Sequence, residues 1–224
     1  FTPDLFKFLR ALERNNDRDW FNASKDRYIA QVRDPLLRFI EDFAPKLGRI
    51  SRHLIADPRP TGGSMFRIYR DVRFSKDKKP YKTVASAQFR HEAARDAHTP
   101  GFYLHLGARE VFMGAGIWHP DRDALGAIRD SIVDRSTAWK RVKSSAGFKS
   151  GTVRLAGESL KRAPRGYDAE HPLIEDLKRK DFIVVCDLDE KTVCEPGFID
   201  VFTDRCKAST PLMRFLTTAL DVPW

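Results

Sequence analysis

The sequence predicts an α+β fold, with helices at both ends and a mainly antiparallel sheet in the middle. Apolar residues follow a helical period in the first 50 residues, alternate with a period of two between residues 65 and 118, and then return to helical spacing. This order, with helices first, strands in the middle and helices last, differs from the βαβ order of a doubly wound fold. With 224 residues and 42% hydrophobic content, the chain is predicted to form one domain, residues 1–224, with C-terminal helices packed on the sheet.

Two helices are predicted in the N-terminal region. Thr2 followed by Pro3 is typical of a helix N-cap and first helical position, and this helix should end near Glu13. A longer amphipathic helix is predicted over residues 28–47. Pro35 should kink or split it, because proline lacks the N–H that a helix interior requires.

The middle of the chain is predicted to contain four strands. Their ranges are 65–74, 83–90, 102–107 and 110–118. The last two are separated only by residues 107–109, so we expect them to form an antiparallel hairpin.

The C-terminal part is predicted to be mainly helical. One helix begins at Asp121, and a second helical piece contains Trp139. A short helix near 171–180 and a buried strand over 182–185 follow. The last helical stripe is predicted to be divided into two helices at Pro211.

Composition argues against several classes of protein. No apolar run approaches the ~20 residues of a membrane-spanning helix, and no signal-peptide pattern opens the chain, so we expect a cytoplasmic protein without a membrane partner. Cys186, Cys194 and Cys206 form no CxxC pair, which favours idle thiols over disulfides or zinc. We predict no metal and no cofactor, since the six histidines, His98 among them, lack the spacing of ligand motifs.

Positive charge is concentrated in one stretch of the chain. The net charge is +9, and residues 66–82, which we call the cationic segment, carry seven basic and two acidic side chains. This segment therefore holds +5, and the rest of the chain only +4. Such a local excess favours a site for an anion over a general surface property.

The cationic segment is the candidate ligand-binding site. As a strand it would place Phe66, Ile68, Val72 and Phe74 on a core face and Arg67, Tyr69, Asp71 and Arg73 on the other face. Guanidinium forks fit phosphate or carboxylate oxygens, and the following loop adds flexible lysines and a tyrosine. The predicted ligand-binding residues are Arg67, Arg70, Asp71, Arg73, Ser75, Lys76, Asp77, Lys78, Tyr81 and Lys82.

This pattern has three functional interpretations and one structural one. We expect binding or processing of a small ligand that bears a phosphate or carboxylate, and the alternatives are association with nucleic acid or with an acidic protein partner. A solvated edge strand protected by charge from aggregation would have a similar pattern. Whether the protein is an enzyme, and its oligomeric state, stay open.

Two histidines and one polar loop are secondary candidates. His105 would share a strand face with Tyr103, and His119 could meet it across the hairpin to perform acid–base chemistry. The alternative for both is a polar strand end. The loop containing Asn16 and Arg18 could approach the cationic segment.

The segment RDVRFSKDKKPYK, residues 70–82, carries a resemblance to a known family. It is similar to the signature of the bacterial and fungal DUF2461 family of conserved domains of unknown function. Agreement extends over nearly the whole chain, through residues 20–21, 101–103, 114–120 and 164–172. Val84 and Ser24 depart from the family pattern. The resemblance implies an α+β single-domain protein and implies no activity.

Overall fold

A computed structural model describes residues 1–94 and 99–224 of the chain. Its helices lie before and after a central sheet. They are α1 (Pro3–Arg14), α2 (Arg18–Ala23), α3 (Lys25–Tyr28), α4 (Asp34–Ile50), α5 (Arg122–Asp134), α6 (Ser136–Lys143), α7 (Ala146–Lys149), α8 (Ile174–Leu177), α9 (Glu190–Cys194) and α10 (Phe198–Ala219), with a π-helix at Ile29–Arg33.

The sheet has five strands, and all of their pairings are antiparallel. The strands are β1 (Val84–Arg90), β2 (Gly101–Gly107), β3 (Val111–Ile117), β4 (Arg154–Ala156) and β5 (Phe182–Leu188), in the spatial order β1-β2-β3-β5-β4. The predicted hairpin is β2–β3, closed by a hydrogen bond from the amide of Gly107 to the carbonyl of Glu110. The predicted α+β order is confirmed.

One face of the sheet is covered by helices. α4 packs on β1, α1 on β2 and α10 on β3. The Phe89 ring on β1 meets Phe43 of α4 at 4.8 Å between centroids and Phe202 of α10 at 5.9 Å. Helices from both ends of the chain therefore enclose the same core.

The N-terminal helices follow the predicted pattern. Thr2 is the extended N-cap of α1, Pro3 is its first residue, and the predicted apolar face is buried. The long second helix is interrupted as predicted, because a π-turn at Ile29–Arg33 precedes the helix that contains Pro35. A wider turn accommodates a proline that can neither donate a hydrogen bond nor fit the regular backbone.

The predicted strand over 65–74 is wrong. Only isolated bridges form there, Met65 with Ala87 and Tyr69 with Tyr81. Ile68 is buried, but Phe74, which the alternation placed in the core, is 95% exposed. The alternating pattern continues beyond the part of the segment that contacts the sheet. Residues up to Arg70 lie along the sheet edge, whereas the residues after Arg70 extend into solvent.

The predicted break at Pro211 is also wrong. α10 runs without interruption from Phe198 to Ala219, with Pro211 inside it. The hydroxyls of Ser209 and Thr210 donate to carbonyls one turn earlier in the helix. Burial of one helix face offsets the hydrogen bond that the proline cannot make.

The predicted elements of the C-terminal part are present, and three short ones, β4, α7 and α9, were not predicted. Asp121 caps α5 through the amide of Ala124, and Trp139 is buried in α6. The short edge strand β4 was not predicted, because three residues give too little alternation to recognise. Within the described ranges, no helix combines the length and apolarity required to cross a bilayer.

Candidate functional site

A cavity of about 510 Å³ lies on the other face of the sheet. Strand residues alternate between the two faces, so residues next to core positions point into this space. The cavity is lined mainly by apolar and aromatic groups and by a few polar ones: Phe66, Lys82, Ser86, Gln88, Tyr103, His105, Phe112, Trp118 and Val185. Such a composition is typical of small-molecule sites.

Glycine leaves room in the floor of the cavity. Gly114 pairs with Tyr103 in the middle of the sheet, and a Cβ at this position would meet the Tyr103 side chain at 3.7 Å and the carbonyl oxygen of Val184 at 3.8 Å, both ordinary contacts. Any larger side chain at Gly114 would therefore occupy the cavity. Gly116 has φ +122°, and a Cβ there would overlap the carbonyl oxygen of Phe182.

The two ends of the cationic segment lie at the edge of the sheet beside β1. The amide of Phe66 donates to the carbonyl of Ser86 at 3.0 Å, and the amide of Lys82 donates to the carbonyl of Ile68 at 2.7 Å. These two residues form the base of the segment and line the cavity. Residues 71–79 form its tip, which extends into solvent.

Internal ion pairs occupy much of the charge near the tip. Arg70 contacts Asp77 at 2.6 Å, and Arg73 makes a bidentate contact with Asp71 at 3.0 and 2.7 Å. The guanidiniums hold the pKa of each carboxyl below its ordinary value, chiefly through these hydrogen bonds. On the predicted face that carries Arg67 and Arg73, Arg73 is therefore bound to Asp71, and only Arg67 has no carboxylate pair among the described residues.

The other predicted residues of the loop have separate positions. The Lys78 ammonium donates to the carbonyl of Val72 at 3.0 Å, and the amide of Ser75 donates to the same carbonyl at 3.3 Å. Lys76 is exposed at the tip. None of these three side chains lines the cavity.

Tyr81 is a packing residue. Its side chain is only 4% exposed, and its ring stacks on Phe21 with centroids 4.0 Å apart. The Asn16 side chain accepts from the Tyr81 amide and donates to its carbonyl, both at 3.0 Å, so the predicted approach of this loop to the cationic segment is confirmed. Asn16 holds the returning strand at the position from which Lys82 reaches the cavity.

Lys82 connects the cationic segment with the cavity. Its ammonium lies 5.4 Å from the centre of the Phe66 ring, a cation–π contact. Among the residues that the structure describes, no carboxylate pairs with Lys82 or with Arg67. Burial lowers the pKa of Lys82, and the nearby charge of Arg67 lowers it further.

Tyr103 and His105 form a hydrogen-bonded pair inside the cavity. The Tyr103 hydroxyl lies 3.0 Å from His105 Nδ1, and the imidazole stacks on Phe112. Burial raises the pKa of Tyr103, against a hydrogen bond from Ser86, and it lowers the pKa of His105, against the charge of Glu110. Both groups are therefore neutral near pH 7, and they share one hydrogen bond in which the tautomer of the imidazole decides the donor.

The predicted meeting of His105 with His119 does not occur. His105 is opposite Phe112 in the hairpin, whereas His119 lies beyond the other end of β3. The backbone amide of His119 donates to the buried Asp181 carboxylate at 2.8 Å, which gives His119 a structural neighbour at the far margin of the sheet.

Other reactive groups offer no second site. In the part of the chain that the structure describes, no cluster of histidine, cysteine and acidic side chains is arranged to hold a metal. His98 lies outside the described residues. Cys186 and Cys206 are buried thiols on neighbouring elements of the core, and burial raises the pKa of Cys186 to about 11.

Comparison with known proteins identifies the family. The profile of the conserved hypothetical proteins termed DUF2461 matches residues 4–215 of the 224-residue chain. The chain belongs to this family. A search among curated proteins found no match. Residues 70–82, which carry the resemblance noted in the sequence, form the tip and the returning part of the cationic segment, and they end at the cavity.

Sequence analysis missed most of the cavity of this DUF2461 protein. Ser86, Gln88 and Phe112 were not singled out, and Phe66 was assigned to the core. The alternation of β1 contained a usable signal, since small apolar residues alternate there with Ser86 and Gln88. A strand whose second face is polar and is followed by glycines in the next strands indicates a recognition surface.

Proposed function

We propose that the protein binds a small ligand with an apolar body and a phosphate or carboxylate group. The body would occupy the sheet cavity, and the anionic group would lie at the base of the cationic segment. The observation that carries this proposal is Lys82, a half-buried cation that belongs to both the segment and the cavity wall. An ammonium beside an apolar space, with no carboxylate pair among the described residues, favours an anion from outside.

Arg67 supports the same location. It is exposed at the base of the segment, and its charge acts on both Lys82 and Asp71. Arg70 and Arg73 have internal carboxylate partners, so they contribute to the surrounding field more than to direct contact. Of the predicted ligand-binding residues, Lys82 and Arg67 are therefore the two cations that we propose for the anionic group, beside an aromatic-lined cavity.

The apolar lining distinguishes this ligand from a free inorganic anion. Phe66, Phe112 and Tyr103 present ring surfaces, and Val185 adds an aliphatic one. Burying such surface contributes about 25 cal/mol per Å² of apolar area. The polar groups of the cavity then fix orientation more than they supply affinity.

Fluorescence titration with a pair of dyes tests the proposal. Anilinonaphthalene sulfonate has an aromatic body with an anionic group, and phenylnaphthylamine has the same rings without charge. We expect Lys82→Gln and Arg67→Gln to weaken the sulfonate about ten- to hundredfold, since a charged hydrogen bond is worth about 1.5–3 kcal/mol. The neutral dye should bind all of these variants equally.

Lys79→Gln is the matched control. Lys79 is exposed at the tip of the same segment, so the substitution removes the same charge away from the cavity. An equal loss of sulfonate binding in this variant and in Lys82→Gln would contradict a localised site. Loss of the neutral dye in Lys82→Gln would point to a packing defect instead.

One observation favours a second candidate, association with nucleic acid or an acidic protein. Phe74 is 95% exposed at the tip, within a run that also carries Lys76 and Lys79. Exposed aromatic and basic groups together suit stacking and phosphate contact. Binding of this kind would weaken steeply with salt, with a log–log slope of about −0.7 to −0.9 per phosphate, and Lys79→Gln would reduce it.

A further inference from the structure

The surroundings of Lys82 are unusual for a lysine whose only role is to bind an anion. Its amine lies on an apolar cavity wall beside the Phe66 ring, and the cation of Arg67 is close. Contact with the ring face stabilises the charged form of the amine less than a hydrogen bond to a carboxylate would. The free amine is therefore more accessible here than at an ordinary exposed lysine.

Anion binding does not by itself require Lys82. Arginine is the better residue for phosphate or carboxylate, because its fork is planar and permanently charged, and the charge of Arg67 already acts on Lys82. Lysine differs from arginine in that it can lose its proton and act as a nucleophile when it is desolvated or lies next to another cation. Both conditions hold at Lys82.

The cavity also contains a neutral pair for proton transfer. The Tyr103 ring also packs on Phe66, edge to face, with centroids 6.1 Å apart, and its hydroxyl is hydrogen-bonded to His105. The second imidazole nitrogen, Nε2, lies 3.5 Å from Glu110 and has no hydrogen-bond partner among the described residues. A phenol donor backed by an imidazole can give and recover a proton near neutral pH.

We propose that Lys82 forms an imine with an aldehyde or ketone held in the cavity, with Arg67 holding the anionic group of the same molecule. This inference rests on the proposed function and names its substrate class: carbonyl compounds with an apolar body and an acidic group, such as aromatic oxo acids. Tyr103 and His105 exchange protons with the reacting oxygen.

The reaction is balanced without any further reagent. The lone pair of the neutral Lys82 nitrogen attacks the carbonyl carbon, and the C=O π electrons move to oxygen, which takes a proton from the phenol. One of the two nitrogen protons then returns to the phenolate of Tyr103, and the other passes through the Tyr103–His105 pair to the new hydroxyl. The C–O bond breaks as the nitrogen lone pair forms the C=N bond, and the oxygen leaves as water. One amine and one carbonyl compound give one imine and one water, and nothing is oxidised or reduced.

Reductive trapping tests this inference. The protein is incubated with phenylpyruvate and cyanoborohydride, and the labelled lysine is identified by peptide mass spectrometry. The expected adduct on Lys82 has the mass of the oxo acid less one oxygen atom. Because burial and the charge of Arg67 lower the pKa of Lys82, a larger fraction of its amine is free at a given pH, and initial labelling of Lys82 should exceed that of exposed Lys79.

Two variants separate chemistry from binding. Lys82→Arg keeps the positive charge and should still bind phenylpyruvate while losing the adduct. Tyr103→Phe should slow trapping at Lys82 several-fold without weakening binding of phenylpropionate, which has no carbonyl group. Labelling distributed evenly over surface lysines, or unchanged total labelling in Lys82→Arg, would overturn the inference.

Phenylpropionate also separates the two proposals. If it binds in a manner that depends on Arg67, but phenylpyruvate gives no Lys82 adduct, the imine is excluded and the anion site remains. If neither compound binds, both proposals fail together.

Discussion

The two faces of the central sheet come from the same strands but have different surroundings, since helices cover one and the other lines a cavity. On β1, Phe89 lies under the helices without exposure, whereas Ser86 and Gln88 point to the cavity. On β3, Met113 is part of the core, whereas Gly114 leaves its space empty. Strand alternation thus gives one surface that packs on the helices and another that lines the cavity in which we propose that a ligand binds, and each can be changed separately.

The largest effect should come from the helix-covered face. Phe89→Ala removes a fully buried ring that contacts Phe43 and Phe202, and we expect a loss of about 3–5 kcal/mol in the free energy of unfolding. Urea denaturation monitored by circular dichroism measures this change.

Phe112→Ala is the matched variant on the cavity face. Phe112 is partly exposed and stacks on His105, so its loss should destabilise the protein by less than half as much as Phe89→Ala. Equal losses at the two positions would mean that both faces belong to one packed core, and the distinction between them would fail.

A smaller effect should come from two glycines of the same strand. Gly116→Ala places a Cβ against the carbonyl of Phe182 at φ +122°, so we expect a loss of about 2 kcal/mol or more. Gly114→Ala has only an ordinary contact and should leave the thermal midpoint the same or slightly raised, because alanine restricts the unfolded chain.

Ligand binding provides a second test at Gly114. Gly114→Val should reduce binding of the neutral dye, since its side chain fills the cavity floor beside Tyr103. A folded Gly114→Val variant that binds the dye as well as the wild type would place the dye elsewhere on the molecule.

The smallest effect concerns pH. Burial lowers the pKa of His105 in the folded state, so the unfolded chain binds more protons, and stability should fall as pH decreases below about 6.5, the ordinary histidine value. The contribution is limited to one proton, a slope of at most about 1.4 kcal/mol per pH unit. The titratable groups next to His105 are Tyr103, whose hydroxyl lies 3.0 Å from Nδ1, and Glu110, whose carboxylate lies 3.5 Å from Nε2.

His105→Gln isolates this contribution. The variant should lose that part of the decrease in denaturation midpoint between neutral and mildly acidic pH. Identical pH profiles for the wild type and His105→Gln would show that His105 titrates with its ordinary pKa, and that the cavity is wetter than its lining suggests.

The helices and most of the strands could be predicted because their signals are local. The cap at Thr2, the π-turn before Pro35 and the β2–β3 hairpin depend on residues close together in sequence. The strand over 65–74 could not be judged in this way, since its alternation ends where the sheet edge ends. The continuity of α10 through Pro211 also depends on packing against distant elements.

The candidate site was predicted only in part. The cationic segment was recognised from its density of charge, but its sequence does not say that Arg73 pairs with Asp71 or that Tyr81 is buried against Phe21. Side chains of an irregular segment have many possible partners, both within the segment, as for Arg73 and Asp71, and far away in sequence, as for Tyr81 and Phe21. The cavity itself combines residues separated by more than a hundred positions.

The sequence by itself determined the fold class, the family and the location of the charge, because periodicity and composition are written along the chain. Only the tertiary structure decided which of those charges meets an apolar space. Phe66, Tyr103 and the unfilled space above Gly114 form the apolar surroundings of Lys82. Desolvation of a charge depends on what surrounds it in three dimensions, and no local pattern encodes that surrounding.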